Sequence, residues 1–339
     1  MKFSPWMLLS VVLALVASNA LTARAETPKT IGSIERIDPA FDKLVPADAA
    51  IEVLADGFEW SEGPVWLPQE GCLLFSDIPH NRINKWDPKS GITVFMKNSG
   101  YTGREQFTGI EPGSNGLVLD GEGRLHMCCH GDRAIKRVEA DGKVTVLADK
   151  YEGKRLNSPN DLAFKSNGDL YFTDPPYGLP ERENDPAREL DWFGVYRLTK
   201  DGQLELLTKE MTRPNGIAFS PDEKFLYVAQ SDPKAAVVMK YPVKEDGTLG
   251  AGKVFFDATQ SVGQQKGLPD GMAIDAAGNV WATGPGGVLV FSPEGKLLGK
   301  LLTGEATANC TFGDDGNLYI TADMYLCRVK TNAPGAGKK

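Results

Sequence analysis

Short apolar runs separated by Gly- and Asp-rich turns recur along this chain, and six of them share one form: three or four apolar residues followed by small or polar ones. The copies are Leu73-Leu74-Phe75-Ser76-Asp77, Leu125-His126-Met127-Cys128-Cys129, Leu170-Tyr171-Phe172-Thr173-Asp174, Leu226-Tyr227-Val228-Ala229-Gln230, Val280-Trp281-Ala282-Thr283 and Leu318-Tyr319-Ile320-Thr321-Ala322. Their first residues stand 52, 45, 56, 54 and 38 positions apart, close to the period of about 40 to 50 of a four-stranded propeller blade. A strand and turn precede most copies, as in Asn215-Gly216-Ile217-Ala218-Phe219-Ser220-Pro221-Asp222. A third strand and an Asp-Gly turn follow several, as in Val195-Tyr196-Arg197-Leu198 before Asp201-Gly202. Strand and turn in alternation build a blade. No long stretch carries a helical period, and the weak acidic piece at residues 184–192 reads as an insertion loop. The pattern therefore predicts an all-β, six-bladed β-propeller. The last unit has room for only one more strand, near residues 326–329. Ile51-Glu52-Val53-Leu54 would supply its outer strand and close the ring, hiding two open edges.

The start of the chain changes the picture of its boundaries. Lys2, an apolar run at residues 7–17 and Ala23-Arg24-Ala25 follow one another as in a secretory leader. The run is short of the roughly 20 apolar residues that span a bilayer. The expected division is a signal peptide at 1–25, an N-terminal extension at 26–50, the propeller at 51–330 and a flexible tail at 331–339. A periplasmic or secreted, membrane-free monomer follows. Lys2 and Arg24 leave with the leader, so a chain of net charge −8 becomes more acidic still. Nucleic acid is not an expected partner. The five cysteines, Cys72, Cys128, Cys129, Cys310 and Cys327, leave at least one unpaired. A Cys310–Cys327 bridge and buried free thiols both remain open, and no Cys/His spacing suits zinc.

Candidate chemistry sits at the entrance of the inner strands. In a propeller that position recurs once per blade, so polar groups placed there converge on one central pocket. Glu62 (Trp60-Ser61-Glu62-Gly63-Pro64), Asn160 (Ser158-Pro159-Asn160-Asp161), Asn215 (Arg213-Pro214-Asn215-Gly216) and Asp270 (Leu268-Pro269-Asp270-Gly271) each stand at a turn before an apolar strand. Singly, each is an ordinary turn former. Together, two carboxylates and two amide oxygens make a hard, all-oxygen set for one divalent cation. Ca²⁺ suits it best, with Zn²⁺, Mn²⁺ and Mg²⁺ as alternatives.

Glu62-Gly63-Pro64-Val65-Trp66, Ser158-Pro159-Asn160-Asp161-Leu162, Thr173-Asp174-Pro175-Pro176-Tyr177-Gly178, Arg213-Pro214-Asn215-Gly216 and Pro269-Asp270-Gly271-Met272 together resemble the gluconolactonase/regucalcin family of six-bladed propeller lactonases. The resemblance implies a cation in the central tunnel held by Glu62, Asn160, Asn215 and Asp270, and a small sugar lactone as substrate. In some relatives the residue matching Asn160 touches substrate rather than metal. Hydrolysis would place the lactone carbonyl oxygen on the cation while a carboxylate takes a proton from water. Asp270 is the expected catalytic base, with Asp161 orienting Asn160 from behind.

Among the remaining residues, His130 is the candidate proton shuttle and substrate contact, since relatives carry a similar Cys-x-His-Gly. Of the histidine pair 126 and 130, one is expected to be buried and one exposed. Arg155, Tyr177 and Arg104 are candidate contacts for sugar hydroxyls. Asn309-Cys310-Thr311 matches a glycosylation triplet and is read as coincidence. No nucleophile elbow, P-loop or dinucleotide fingerprint occurs. The rival readings keep the site and change the substrate to an aryl ester, acyl lactone or phosphotriester, or make the propeller a non-catalytic binding module with structural Ca²⁺.

Overall fold

The structure is a computed structural model that describes residues 28–336; the expected leader at 1–25 and the end of the expected tail, 337–339, lie outside them. Six antiparallel sheets follow one another in chain order. Their inner strands are Ser61–Leu67, Ser114–Leu119, Leu162–Phe164, Pro214–Phe219, Met272–Ile274 and Thr307–Phe312. Each inner strand touches that of the next blade, and the sixth touches the first, so the ring closes. The fold is the six-bladed propeller that the period predicts.

Closure uses the strand that the sequence singles out. Ile51–Ala55 is the outer strand of blade 6 and pairs with Tyr325–Lys330, in the register Cys327↔Val53 and Arg328↔Glu52. A chain segment from before blade 1 thus completes blade 6, joining the ends of the ring by backbone hydrogen bonds. The extension goes further than expected. Thr30–Ile31 adds a fifth strand to blade 6, and Ser33–Arg36 adds one to blade 5. Residues 331–336 do not trail free: Thr331 N–H donates to the Gly316 carbonyl and Ala336 N–H to that of Ile274, both at 2.9 Å.

Aromatic wedges hold neighbouring blades together. The second strands carry Tyr171, Tyr227, Trp281 and Tyr319 at one place in the repeat, each almost wholly buried. Three of them meet an aromatic ring on the inner strand of the next blade: Tyr171 with Phe219 at 4.8 Å, Trp281 with Phe312 at 5.4 Å, and Tyr319 with Trp66 at 5.1 Å across the closure. Such a pair contributes about 0.5–1.5 kcal/mol beyond its buried area. His126 takes the same place in blade 2, edge-on to Phe164 at 4.9 Å. Burial pushes its pKa down to about 4, so it is a neutral core ring. His126 and His130 are both buried, not one buried and one exposed as expected, because this wedge position and the site wall each enclose one. All five cysteines are buried free thiols, without a Cys310–Cys327 bridge.

Candidate active site

The start of each inner strand carries one residue into the centre of the ring: Glu62, Asn115, Asn160, Asn215, Asp270 and Asn309 for blades 1 to 6. In four blades the pairing with the second strand slips at this point, between Glu62 and Val65, Ser114 and Leu117, Pro214 and Ile217, and Thr307 and Asn309. A bulge of this kind bends the strand and re-aims a side chain. The residue that follows is Gly in four blades, and the reason is close approach. A Cβ on Gly63, whose φ is 54°, would stand 2.0 Å from the Asn115 carbonyl oxygen, and one on Gly216 would stand 2.1 Å from that of Asp270. The glycines let consecutive ring residues crowd together.

The small and polar residues that end each repeat copy support this ring. Ser76 Oγ donates to the Asn115 carbonyl (2.8 Å), Ser231 Oγ to that of Pro269 (2.6 Å) and Thr321 Oγ1 to that of Asn309 (3.2 Å). Thr283 Oγ1 accepts from Asp270 N–H at 3.2 Å. One layer out, Asp174 accepts from Asn157 N–H at 2.8 Å and Gln230 from Thr212 N–H at 2.8 Å, pinning the loops that lead into the ring. Burial pushes the Asp174 carboxyl up to about 7.

Of the four residues singled out from sequence, Glu62, Asn160 and Asn215 are buried and Asp270 is part-buried with its Oδ1 enclosed, and three carboxyls dominate the electrostatics. Burial raises Glu62 to about 8, with the nearby Asp161 charge adding to it; its Oε2 accepts from Gly63 N–H (2.6 Å) and Asn309 Nδ2 (3.3 Å). Burial raises Asp161 to about 7, although Leu162 N–H donates to it at 2.9 Å. Asp270 is raised well above the usual carboxylate range, first by burial and then by Glu62 and Asp161. Asp161 stands where four of the other blades carry glycine, so it places a carboxyl among the ring residues. Among the described residues none of the three makes an ion pair with Lys, Arg or His. Two ring oxygens from the predicted set, Asn160 Oδ1 and Asp270 Oδ1, are buried without a hydrogen-bond partner. Asn215 donates its Nδ2 to Ser231 Oγ at 2.8 Å.

Buried carboxylates without a compensating cation hold protons or a metal ion. The residues present fit a hard divalent cation: clustered carboxyls, amide oxygens without partners, and no sulfur or nitrogen ligand among them. No three His, Cys, Asp or Glu side chains form a cage by themselves among the described residues, so amide oxygens have to complete any shell.

Around the ring, the predicted contacts divide. Tyr177 belongs to the site: its hydroxyl is buried near Ser231, burial raises its pKa, and the charges of Asp270, Arg213 and Glu111 all act on it. Arg182 lies over its ring at 5.9 Å. His130 is wholly buried, with Nε2 3.4 Å from Asn115 Nδ2 and Nδ1 3.3 Å from Glu111 Oε2. It therefore faces the site through Asn115 rather than openly. Arg155 is turned to the Asp132 carbonyl at 3.2 Å, and Arg104 is exposed in the loop before blade 2. Sequence reasoning missed Asn115, Asn309 and Glu111. Asn115-Gly116 repeats the Asn215-Gly216 signal and was there to be read. Asn309, whose match to a glycosylation triplet is a coincidence, is buried in the ring. Glu111 comes from an irregular loop and carries no local signal.

Comparison with known proteins agrees with this architecture. The sequence model of the SMP-30/Gluconolactonase/LRE-like region matches residues 60–323. A gluconolactonase of Zymomonas mobilis is 39% identical over 339 residues, covering 96% of this chain and 95% of that protein. The solved gluconolactonase of Xanthomonas campestris superposes with a TM-score of 0.78 at 34% identity, covering 90% of this chain and 96% of that one. The calcium-binding protein regucalcin of Agrobacterium tumefaciens shares the fold, with a TM-score of 0.65 at 21% identity over 84% of this chain and 94% of its own.

Proposed function

The chain belongs to the SMP-30/gluconolactonase/LRE-like family and is a lactonase, a hydrolase of carboxylic ester bonds, and on that premise we propose that it opens a sugar lactone with the help of one divalent cation. The observation that carries the cation is the trio Glu62, Asp161 and Asp270, buried together without a cationic partner. Glu62, Asn160, Asn215 and Asp270 would hold the ion, which when bound supplies positive charge for the oxygen that becomes negative as the lactone carbonyl is attacked. Ca²⁺ is the best match to oxygen donors of this kind.

The protein's own groups do the rest. Asp270 takes the proton from the attacking water, with a basicity set between the burial that raises it and the cation it would hold, which lowers it. Asp161, next to Asn160, keeps the charge of the trio low in the metal-free protein by holding a proton near neutral pH. Tyr177, with Arg182 over its ring and Glu111 nearby, offers both donors and acceptors to sugar hydroxyls. Burial of the ring excludes bulk water, so these dipoles act at low local dielectric. The leader at residues 1–25 sends the protein to the periplasm or outside the cell, where Ca²⁺ is available.

The test is a pH-stat panel of sugar γ- and δ-lactones, aryl esters and a phosphotriester, with EDTA-treated protein before and after Ca²⁺ is restored. Calcium-dependent turnover of a sugar lactone above all other substrates is the expected result. Preference for the aryl ester or phosphotriester would reassign the substrate, and full activity in EDTA would remove the cation.

A further inference from the structure

Two ring positions stand outside the set chosen from sequence, and their amides are held in opposite senses. Asn309 turns its nitrogen to the acids: Nδ2 donates to Glu62 Oε2 at 3.3 Å, while Oδ1 accepts from Cys310 N–H at 2.8 Å. Both ends of that amide are used. Asn115 turns the other way. Its Nδ2 donates to His130 Nε2 at 3.4 Å, and its Oδ1 is buried with no hydrogen-bond partner. Asn160 Oδ1 and Asp270 Oδ1 are in the same condition, so blades 2, 3 and 5 each bring an unpartnered oxygen to the ring.

The orientation of Asn115 is built rather than incidental. For His130 Nε2 to accept, the neutral imidazole carries its proton on Nδ1, the nitrogen 3.3 Å from Glu111 Oε2. Nδ1 makes no hydrogen bond, but the Glu111 carboxylate at that distance favours a proton there electrostatically, and that tautomer favours this amide rotamer. Flipping the amide would set its oxygen against the Nε2 lone pair and waste the nitrogen. The Asn115 carbonyl is fixed as well, by Ser76 Oγ at 2.8 Å, and lies where a Cβ on Gly63 would be. Blade 2 is thus locked beside Glu62.

We propose that Asn115 supplies a fifth protein oxygen to the ring cation, with His130 and Glu111 as positioning residues that hold its amide in place. The proposal rests on the cation reading above. Ca²⁺ takes 6–8 oxygens, so four protein ligands leave space for a fifth and for water and substrate.

Two measurements on the full-length protein, stripped with EDTA, test this: calorimetric titration with Ca²⁺, and Tb³⁺ luminescence lifetimes in H₂O and D₂O, which count waters on the ion. Asn115→Ala should weaken Ca²⁺ by about tenfold and add one water to bound Tb³⁺. Asn115→Asp, which keeps an oxygen, should retain the wild-type water count. His130→Leu should weaken Ca²⁺ several-fold, and His130→Gln, whose amide oxygen accepts from Asn115, should restore it. Should Asn115→Ala fail to fold, Asn115→Leu gives the same reading with the volume kept. Folded alanine or leucine variants with wild-type affinity and water count would overturn the ligand role. Equal affinity in His130→Leu and His130→Gln would overturn the positioning role. Wild-type protein that takes up neither ion would instead remove the cation reading itself, a result distinct from wild-type binding that survives loss of Asn115.

Discussion

The same six inner strands have two ends, and they are built on opposite principles. Where the strands begin, Glu62, Asp161 and Asp270 crowd together without a cationic partner, and neighbouring amide oxygens are left without hydrogen bonds. Where they finish, a cavity of about 650 Å³ opens, lined by Leu119, Phe164, Phe219 and Ile274. Several of its charges pair among themselves: Arg124 with Asp120 at 2.7 Å, Lys165 with Glu223 at 3.1 Å. The roomy end pairs most of its charged groups, while the crowded end holds buried polar atoms without a protein partner. Unpaired buried polarity, more than volume, marks the functional end of this propeller.

The largest effect should come from removing a charge at the crowded end. Glu62→Gln or Asp270→Asn should lower lactone turnover by about 10²–10³-fold or more and weaken Ca²⁺ binding, as measured by pH-stat kinetics and calorimetry. Near-normal turnover in both variants would mean that the two ends do not differ in the way described.

A pH series should sharpen the contrast. Burial raises Glu62 to about 8 and Asp161 to about 7, so the folded, metal-free protein binds protons that the unfolded chain releases. Stability from these groups is full below the ordinary carboxylate range and is lost as pH rises through their folded values. In EDTA the thermal midpoint should therefore fall between about pH 5 and about pH 9. Saturating Ca²⁺ binds the ionised form and should raise the midpoint most at the upper end of that window. A metal-free midpoint that holds level or rises with pH would contradict the buried trio.

The smallest effect belongs to the paired end. Lys165→Ala breaks a partly buried ion pair and should cost no more than about 1 kcal/mol in denaturant titration, with turnover unchanged. A large loss of turnover would give the cavity a role in catalysis.

Much of this contrast was legible from residue order. The period of the apolar runs gave six blades, and Ile51-Glu52-Val53-Leu54 was readable as the closing strand because an incomplete last unit needs one. Glu62, Asn160, Asn215 and Asp270 stood out because a turn position that repeats must converge in a closed ring. Arg155 and His130 were less accessible to such reasoning. Arg155 spends its guanidinium on the Asp132 carbonyl, and His130 lies behind Asn115, and neither relation follows from spacing. His126 looked like chemistry and is a wedge between blades, a role visible only once its place is matched with Tyr171, Trp281 and Tyr319.

By itself, then, the sequence determined what local periodicity can determine: strands, turns, their sixfold repetition and the residue at each blade entrance. Which of those entrance groups point an oxygen inward and which point a nitrogen was decided by tertiary contacts, His130 behind Asn115 and Glu62 beside Asn309. The shared burial of three carboxyls from blades 1, 3 and 5 was decided there too. The physical reason is that hydrogen-bond polarity and desolvation depend on neighbours brought close by ring closure, such as Glu62 and Asn309, 247 positions apart, whereas the strand pattern depends on residues a few places apart.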